Sequence, residues 1–191
     1  MGTIGCNFRC KHCQNCTISQ VGLDEANSIE ITPEQAIDRA LATGCRSIAW
    51  TYNEPTIWYE YTYDSAKLAK EAGLDTVYVT NGYITPEALE HISPYLDAFR
   101  VDIKAFSEKF YEEGVGARLA PVLESAKLAR ELGMNVEVVN LVIPTLNDSE
   151  DELRELSEWV FENLCEDTPV HFTRFQPHYK MKDLPPTPVE T

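Results

Sequence analysis

Ala66-Lys67-Leu68-Ala69-Lys70-Glu71-Ala72-Gly73-Leu74-Asp75-Thr76-Val77-Tyr78-Val79-Thr80 reads as the end of a helix, a glycine and a strand. The helix spans roughly residues 57–72; Gly73 can close it in a left-handed conformation, and Thr76 to Thr80 form a short run rich in β-branched and aromatic side chains. The same order occurs on either side. Thr32, Pro33 and Gln35 supply an N-cap, a proline at the first helical position and a capping-box partner, for a helix that runs to about Thr43. Gly44 and a strand over Ser47 to Tyr52 follow. Further on, a helix over roughly 118–132 leads to Gly133 and a strand over Val136 to Ile143. The three glycines lie 29 and 60 residues apart, one and two periods of a unit near 30 residues, and an intermediate strand falls between them at Ala98 to Ile103.

A last helix, capped by Asp148 or Ser149, runs to about Leu164 and is followed by a strand over Val170 to Phe175. With Met1 to Ile4 counted as the tail of a first strand, the expectation is six strands. Alternation of strand and helix implies an α/β fold with a parallel sheet and right-handed crossovers, best matched by a partial (β/α)6 TIM-type barrel. A doubly wound sheet is the alternative, but no Gly-x-Gly-x-x-Gly or phosphate-loop sequence follows any strand. Residues 17–31 read as a loop. The proline-punctuated tail over 180–191 reads as a surface strap or a ragged end.

At 191 residues, with 43% hydrophobic content, the chain can bury one sizeable core. No apolar run approaches a membrane span and no charged-then-apolar leader precedes the cysteines, so no membrane partner and a cytoplasmic location are expected. The 31 acidic and 16 basic residues give a formal charge of −15, which repels phosphate backbones and argues against nucleic acid as a partner. Much of the acidity, from Glu150 to Asp167, belongs to the last helix and its exit and reads first as a solvated face.

The chemistry is concentrated in Gly5-Cys6-Asn7-Phe8-Arg9-Cys10-Lys11-His12-Cys13-Gln14-Asn15-Cys16. Four cysteines among polar and cationic residues are too crowded for a packed core and read as metal ligands in a reducing compartment, whereas Cys45 and Cys165 read as packing residues. Cys6, Cys10 and Cys13 can curl around an iron–sulfur cube and leave its fourth iron without a protein ligand. Asn7, Arg9 and Lys11 suit a turn that offsets the cluster's negative charge, and Phe8 and His12 can shield it. A zinc knuckle with Cys16 as fourth thiolate, a four-cysteine electron-transfer cluster and a disulfide knot are the alternatives.

In a parallel barrel the C-terminal strand ends share one mouth, where active sites form. Counting the first stub as a strand, the residues there are the cysteines, then Asn53 and Glu54, then Thr80 and Asn81, then Asp102 and Lys104, then Asn140, and finally Gln176 and His178. Each has a structural reading alone, such as a turn residue or an ion pair. Their gathering at one rim favours catalysis.

The spacing Cys-x3-Cys-x2-Cys resembles the signature of radical S-adenosylmethionine (radical SAM) enzymes. With Tyr52-Asn53-Glu54-Pro55, Thr80-Asn81-Gly82, Asp102-x-Lys104 and Ile143-Pro144-Thr145-x-Asn147-Asp148, the chain is similar to relatives of pyruvate formate-lyase activating enzyme. Within that group Thr51 to Pro55 and Arg174-Phe175-x-Pro-x-Tyr179 look like the AmmeMemoRadiSam branch. The resemblance implies a radical SAM core over 1–179, its first strand truncated, and a 4Fe–4S cluster on Cys6, Cys10 and Cys13. It implies S-adenosyl-L-methionine with its ammonium near Asn53 and Glu54, its carboxylate at Lys104, its ribose at Asn140 and its adenine along the backbone of Phe175 and Gln176. The implied activity is reductive cleavage to a 5′-deoxyadenosyl radical, with an external electron donor such as flavodoxin or ferredoxin and a protein among the expected substrates. A non-catalytic iron–sulfur or zinc-binding protein is the rival. Val79 stands where glycyl-radical activases carry Asp, which speaks against a cation site of that kind.

Overall fold

The computed structural model describes all 191 residues. In chain order its elements are α1 (Cys16–Ser19), α2 (Pro33–Ala42), β1 (Ser47–Trp50), α3 (Tyr59–Glu71), β2 (Asp75–Thr80), α4 (Pro86–Ile92) and β3 (Ala98–Asp102). Then come α5 (Glu108–Phe110), α6 (Ala120–Glu131), β4 (Asn135–Val142), α7 (Glu150–Asn163) and β5 (Val170–Arg174). The caps explain several boundaries. Thr32 Oγ1 accepts from Gln35 N at 3.3 Å while Gln35 Oε1 accepts from Thr32 N at 3.1 Å, the reciprocal pair that starts α2. Thr85 and Ser149 cap α4 and α7 without the return bond, their hydroxyls accepting from Ala88 N and Glu152 N.

All five strands are parallel and neighbour one another in sequence order, β1-β2-β3-β4-β5. This is the open, barrel-type arrangement; a doubly wound sheet reverses its strand order. One strand fewer than expected forms. Met1 alone pairs beside β1, its ammonium donating to Ala49 O and its carbonyl accepting from Thr51 N at 2.7 Å, and the backbone turns away before a ladder can grow. The segment expected to be a plain loop also holds α1 and a 3-10 turn over Leu23–Glu25. Cys45, expected to pack, is exposed beside the Gly44 turn.

Alternation gives the sheet two different faces. Ile48, Trp50, Tyr78, Phe99, Val101, Val136 and Val138 are buried and face the helical layer. Val77, Val79, Arg100, Asp102, Glu137 and Leu141 lie on the opposite, concave face and are only half-buried. The tail returns to the sheet at Thr187. Its buried hydroxyl donates to Val142 O at 2.6 Å and accepts from Phe175 N at 2.8 Å, and its N–H reaches Phe175 O at 3.1 Å.

Candidate active site

The cysteine loop lies over the C-terminal mouth of the sheet and is tied down by its backbone. Gly5 N donates to Ile18 O at 2.7 Å, while Arg9 N and Lys11 N donate to Val115 O and Gly114 O, each at 2.9 Å. The last two anchors belong to a π-turn over Tyr111–Val115 that follows β3 and α5. Phe8 is buried edge-on against Tyr83 and Tyr111, with ring centroids 5.2 Å and 6.2 Å away. His12 is buried against Phe110, its Nδ1 without a hydrogen-bond partner. Burial, with the Lys104 charge adding to it, lowers the His12 pKa to about 3, so the ring is neutral.

A cleft of about 370 Å³ opens beneath this loop. Cys6, Cys10 and Cys13 line it; Cys16 does not, and its sulfur stands 3.6 Å from His178 Nε2. All six cysteines are free thiols, so no disulfide knot forms. Burial raises the Cys6 thiol pKa and pushes that of Cys10 up to about 12, partly opposed at Cys10 by Lys104. Donors already address two of the sulfurs: Phe8 N lies 3.4 Å and Asn81 Nδ2 3.7 Å from Cys6 Sγ, and Ser19 Oγ lies 3.0 Å from Cys13 Sγ. Such contacts suit thiolates that carry cluster charge. No three His, Cys, Asp or Glu side chains converge on a point that one ion could occupy, whereas zinc needs four donors about 2.0–2.3 Å from a single centre. An iron–sulfur cube, whose thiolates sit on separate irons, fits this donor set better.

The strand-end residues divide into those that line the cleft and those that hold its walls. Asn53, Thr80, Asn81, Asp102 and Lys104 line it. Asn53 also fastens the cysteine loop, donating from Nδ2 to Gly5 O at 2.9 Å and accepting from Thr3 N at 3.1 Å. Asn81 Nδ2 donates to Asn7 Oδ1 at 2.7 Å. Lys104 Nζ pairs with Asp102 Oδ2 at 2.9 Å; burial would lower the lysine pKa, but Asp102 and Cys10 outweigh it and raise it.

Glu54 is fully buried and does not line the cleft. One of its oxygens accepts from Thr56 N, Thr56 Oγ1 and Thr80 Oγ1 at 3.1, 2.7 and 2.7 Å, and the other from Asn81 N at 2.8 Å. Burial raises its pKa, and these donors offset that only in part. It joins the end of β1 to the end of β2.

Asn140 points away from the cleft, its Nδ2 donating to Ile103 O at 2.9 Å, because it falls on the helix-facing side of β4 between Val139 and Leu141. Phe175 is buried, and its backbone N–H and carbonyl are both taken by Thr187. Gln176 and His178 are exposed and outside the cleft lining. The neighbouring Thr173 and Arg174, together with Arg100 and the Val79, Val139 and Leu141 walls, line the cleft and were missed in the sequence. The spacing of two from Asp102 back to Arg100 is the signal that could have found the last charge.

Comparison with known proteins bears on this arrangement. The family model described as Radical SAM superfamily matches residues 2–160. Uncharacterized protein MJ0808 of Methanocaldococcus jannaschii is 48% identical over 187 residues, which are 98% of this chain and 55% of that relative. The chain thus spans about half the length of this relative. Pyruvate formate-lyase-activating enzyme of Clostridium pasteurianum is 24% identical over 94% of this chain and 80% of its own length. Among solved structures, Streptococcus suis SuiB superposes with a TM-score of 0.72 when bound to precursor peptide SuiA and 0.71 when bound to S-adenosylmethionine. Identities are 16% and 18%, and each match covers 94% of this chain and 40% or 41% of SuiB, a likeness of fold. No helix is long and apolar enough to cross a membrane.

Proposed function

The chain belongs to the radical SAM superfamily, whose enzymes use a 4Fe–4S cluster and S-adenosylmethionine, and from that premise we propose that it is the cluster-bearing core of an activating-enzyme-like radical enzyme. The observation that carries this reading is the division of the four clustered cysteines: three thiols line one cleft together with the Lys104–Asp102 pair, and the fourth lies outside it. When bound, the cluster supplies one-electron reductive cleavage of S-adenosylmethionine to methionine and a 5′-deoxyadenosyl radical, which takes a hydrogen atom from a substrate.

The chain's own residues hold and shield. Cys6, Cys10 and Cys13 would be the thiolate ligands, with the Asn81, Ser19 and Phe8 donors moderating their charge. The buried Phe8 and neutral His12 keep water from the cysteine turn. Lys104 would take the cofactor's carboxylate, already held at the rim by Asp102. Glu54 acts as a positioning residue: its four accepted hydrogen bonds fix the β1 and β2 ends, and so place Asn53 and Asn81 against the cysteine loop. An external donor such as flavodoxin or ferredoxin would supply the electron, and a protein would be the substrate, as the activating-enzyme relatives suggest by name.

Anaerobic reconstitution tests this reading. Cys16→Ala should bind iron and sulfide like the parent and form 5′-deoxyadenosine with dithionite, whereas Cys6→Ala, Cys10→Ala or Cys13→Ala should lose the cluster absorbance and the product. Loss of the cluster in Cys16→Ala as well would favour a four-thiolate electron carrier, and zinc in place of iron would end the radical reading.

A further inference from the structure

Arg100, Asp102 and Lys104 recur at every second residue along β3 and its exit, so all three project onto the concave face, Lys104 at the rim and Arg100 two steps lower. Lys104 and Asp102 satisfy one another at 2.9 Å. Arg100 shares the same carboxylate only at longer range. Its Nη2 stays 3.6 Å from Asp102 Oδ1, beyond a hydrogen bond, and that oxygen is itself buried without a partner. Glu137, in register with Arg100 on β4, turns its carboxylate to His171 Nε2 at 3.3 Å instead. The Arg100 side chain is 34% exposed, with Val79, Val139 and Leu141 also lining the cleft.

Arg100, Lys104 and Arg174 are the cations that line the cleft; Asp102 is its one carboxylate, and Cys6, Cys10 and Cys13 add negative charge as thiolate ligands. Asp102 is shared between Lys104 and Arg100, and Arg174 donates from Nε to Thr187 O at 2.8 Å, so Arg100 is the cation of the cleft whose side chain makes an ion pair but no hydrogen bond within the chain. A guanidinium beside Val79, Val139 and Leu141 in a cleft otherwise lined mostly by polar residues is strongest toward a ligand that can take two parallel hydrogen bonds.

We infer that Arg100 anchors an oxyanion, a carboxylate or a phosphate, carried by the molecule from which hydrogen is taken. This deepens the radical reading above and rests on it. Binding of the oxyanion would set the depth and orientation of that substrate below the rim, leaving Lys104 for the cofactor.

Equilibrium dialysis of radiolabelled succinate and of glycerol 3-phosphate against the cluster-loaded protein, saturated with S-adenosylmethionine, tests the inference. At least one should bind saturably with one site per chain, and the uncharged succinamide and glycerol should not compete. Arg100→Gln should weaken that binding about ten- to a hundredfold, and Arg100→Lys, which keeps the charge, should lose less. Succinate alone would assign a carboxylate and glycerol 3-phosphate alone a phosphate. Absence of saturable binding by both, binding unchanged in Arg100→Gln, or a loss confined to S-adenosylmethionine affinity would each overturn it. Formation of 5′-deoxyadenosine in the same samples separates the two readings: product without oxyanion binding removes this inference only, and oxyanion binding without product removes the radical chemistry.

Discussion

Lys104 is a half-buried ammonium with one carboxylate at 2.9 Å and a second expected from the cofactor. A charge-assisted hydrogen bond of that kind contributes roughly 1.5–3 kcal/mol, about one to two decades in affinity. Lys104→Ala should therefore keep the iron and its colour, weaken S-adenosylmethionine binding ten- to a hundredfold in calorimetric titration, and slow 5′-deoxyadenosine formation. Unchanged affinity with a sharply lower Tm would instead make Lys104 a structural partner of Asp102. Its place on the rim was legible from its spacing to Asp102. The roles of Glu54 and Asn140 were not, because the direction of a side chain just past a strand depends on turn geometry that sequence order does not carry. Pro55 and the 3-10 turn after it fold Glu54 inward onto Thr80 and Asn81, and one step of alternation turns Asn140 to the helices.

At the level of elements, the junction after β2 depends on Gly82. Its φ is +75°, and an added Cβ would lie 2.8 Å from Val101 Cγ2 and 3.1 Å from both Ser125 Oγ and Val122 Cγ1. Its carbonyl also accepts from Ser125 Oγ at 2.6 Å, drawing α6 onto the strand end. Gly82→Ala combines left-handed strain with overpacking and should cost about 2–4 kcal/mol, read as a lower midpoint in urea unfolding. A shift under 0.5 kcal/mol would show that the junction relaxes freely. The helix-glycine-strand order made β1, β2 and β4 legible to within two residues, since Gly44, Gly73 and Gly133 all adopt positive φ where helices end, while the 30-residue period placed β3 and the last helix placed β5. The sixth, expected over Met1 to Ile4, does not form: a four-residue stub carries no periodicity to test, and only Met1 pairs beside β1. The Thr187 clamp was hidden too: a proline-rich segment does not announce which single hydroxyl it buries.

The whole molecule carries its −15 with few compensating pairs, among them Lys70 with Asp97 at 2.6 Å and Arg154 with Glu150 at 2.8 Å. Self-repulsion on this scale opposes the compact state and is screened as the Debye length falls from about 30 Å at 0.01 M salt to about 10 Å at 0.1 M. Tm should therefore rise by a few degrees over that range in sodium chloride. A flat or falling Tm would mean that surface ion pairs contribute more to stability than like charges remove.

The three charges on β3 also set a distance. Lys104 Nζ lies 2.9 Å from one oxygen of Asp102 and Arg100 Nη2 3.6 Å from the other, so the two cationic tips are separated by no more than one carboxylate and its two contacts. A substrate held by its anionic end at Arg100, beside a cofactor held at Lys104, must place its reactive carbon within that span. The strand then works as a gauge, and selection falls on how far a hydrogen lies from its molecule's charged end.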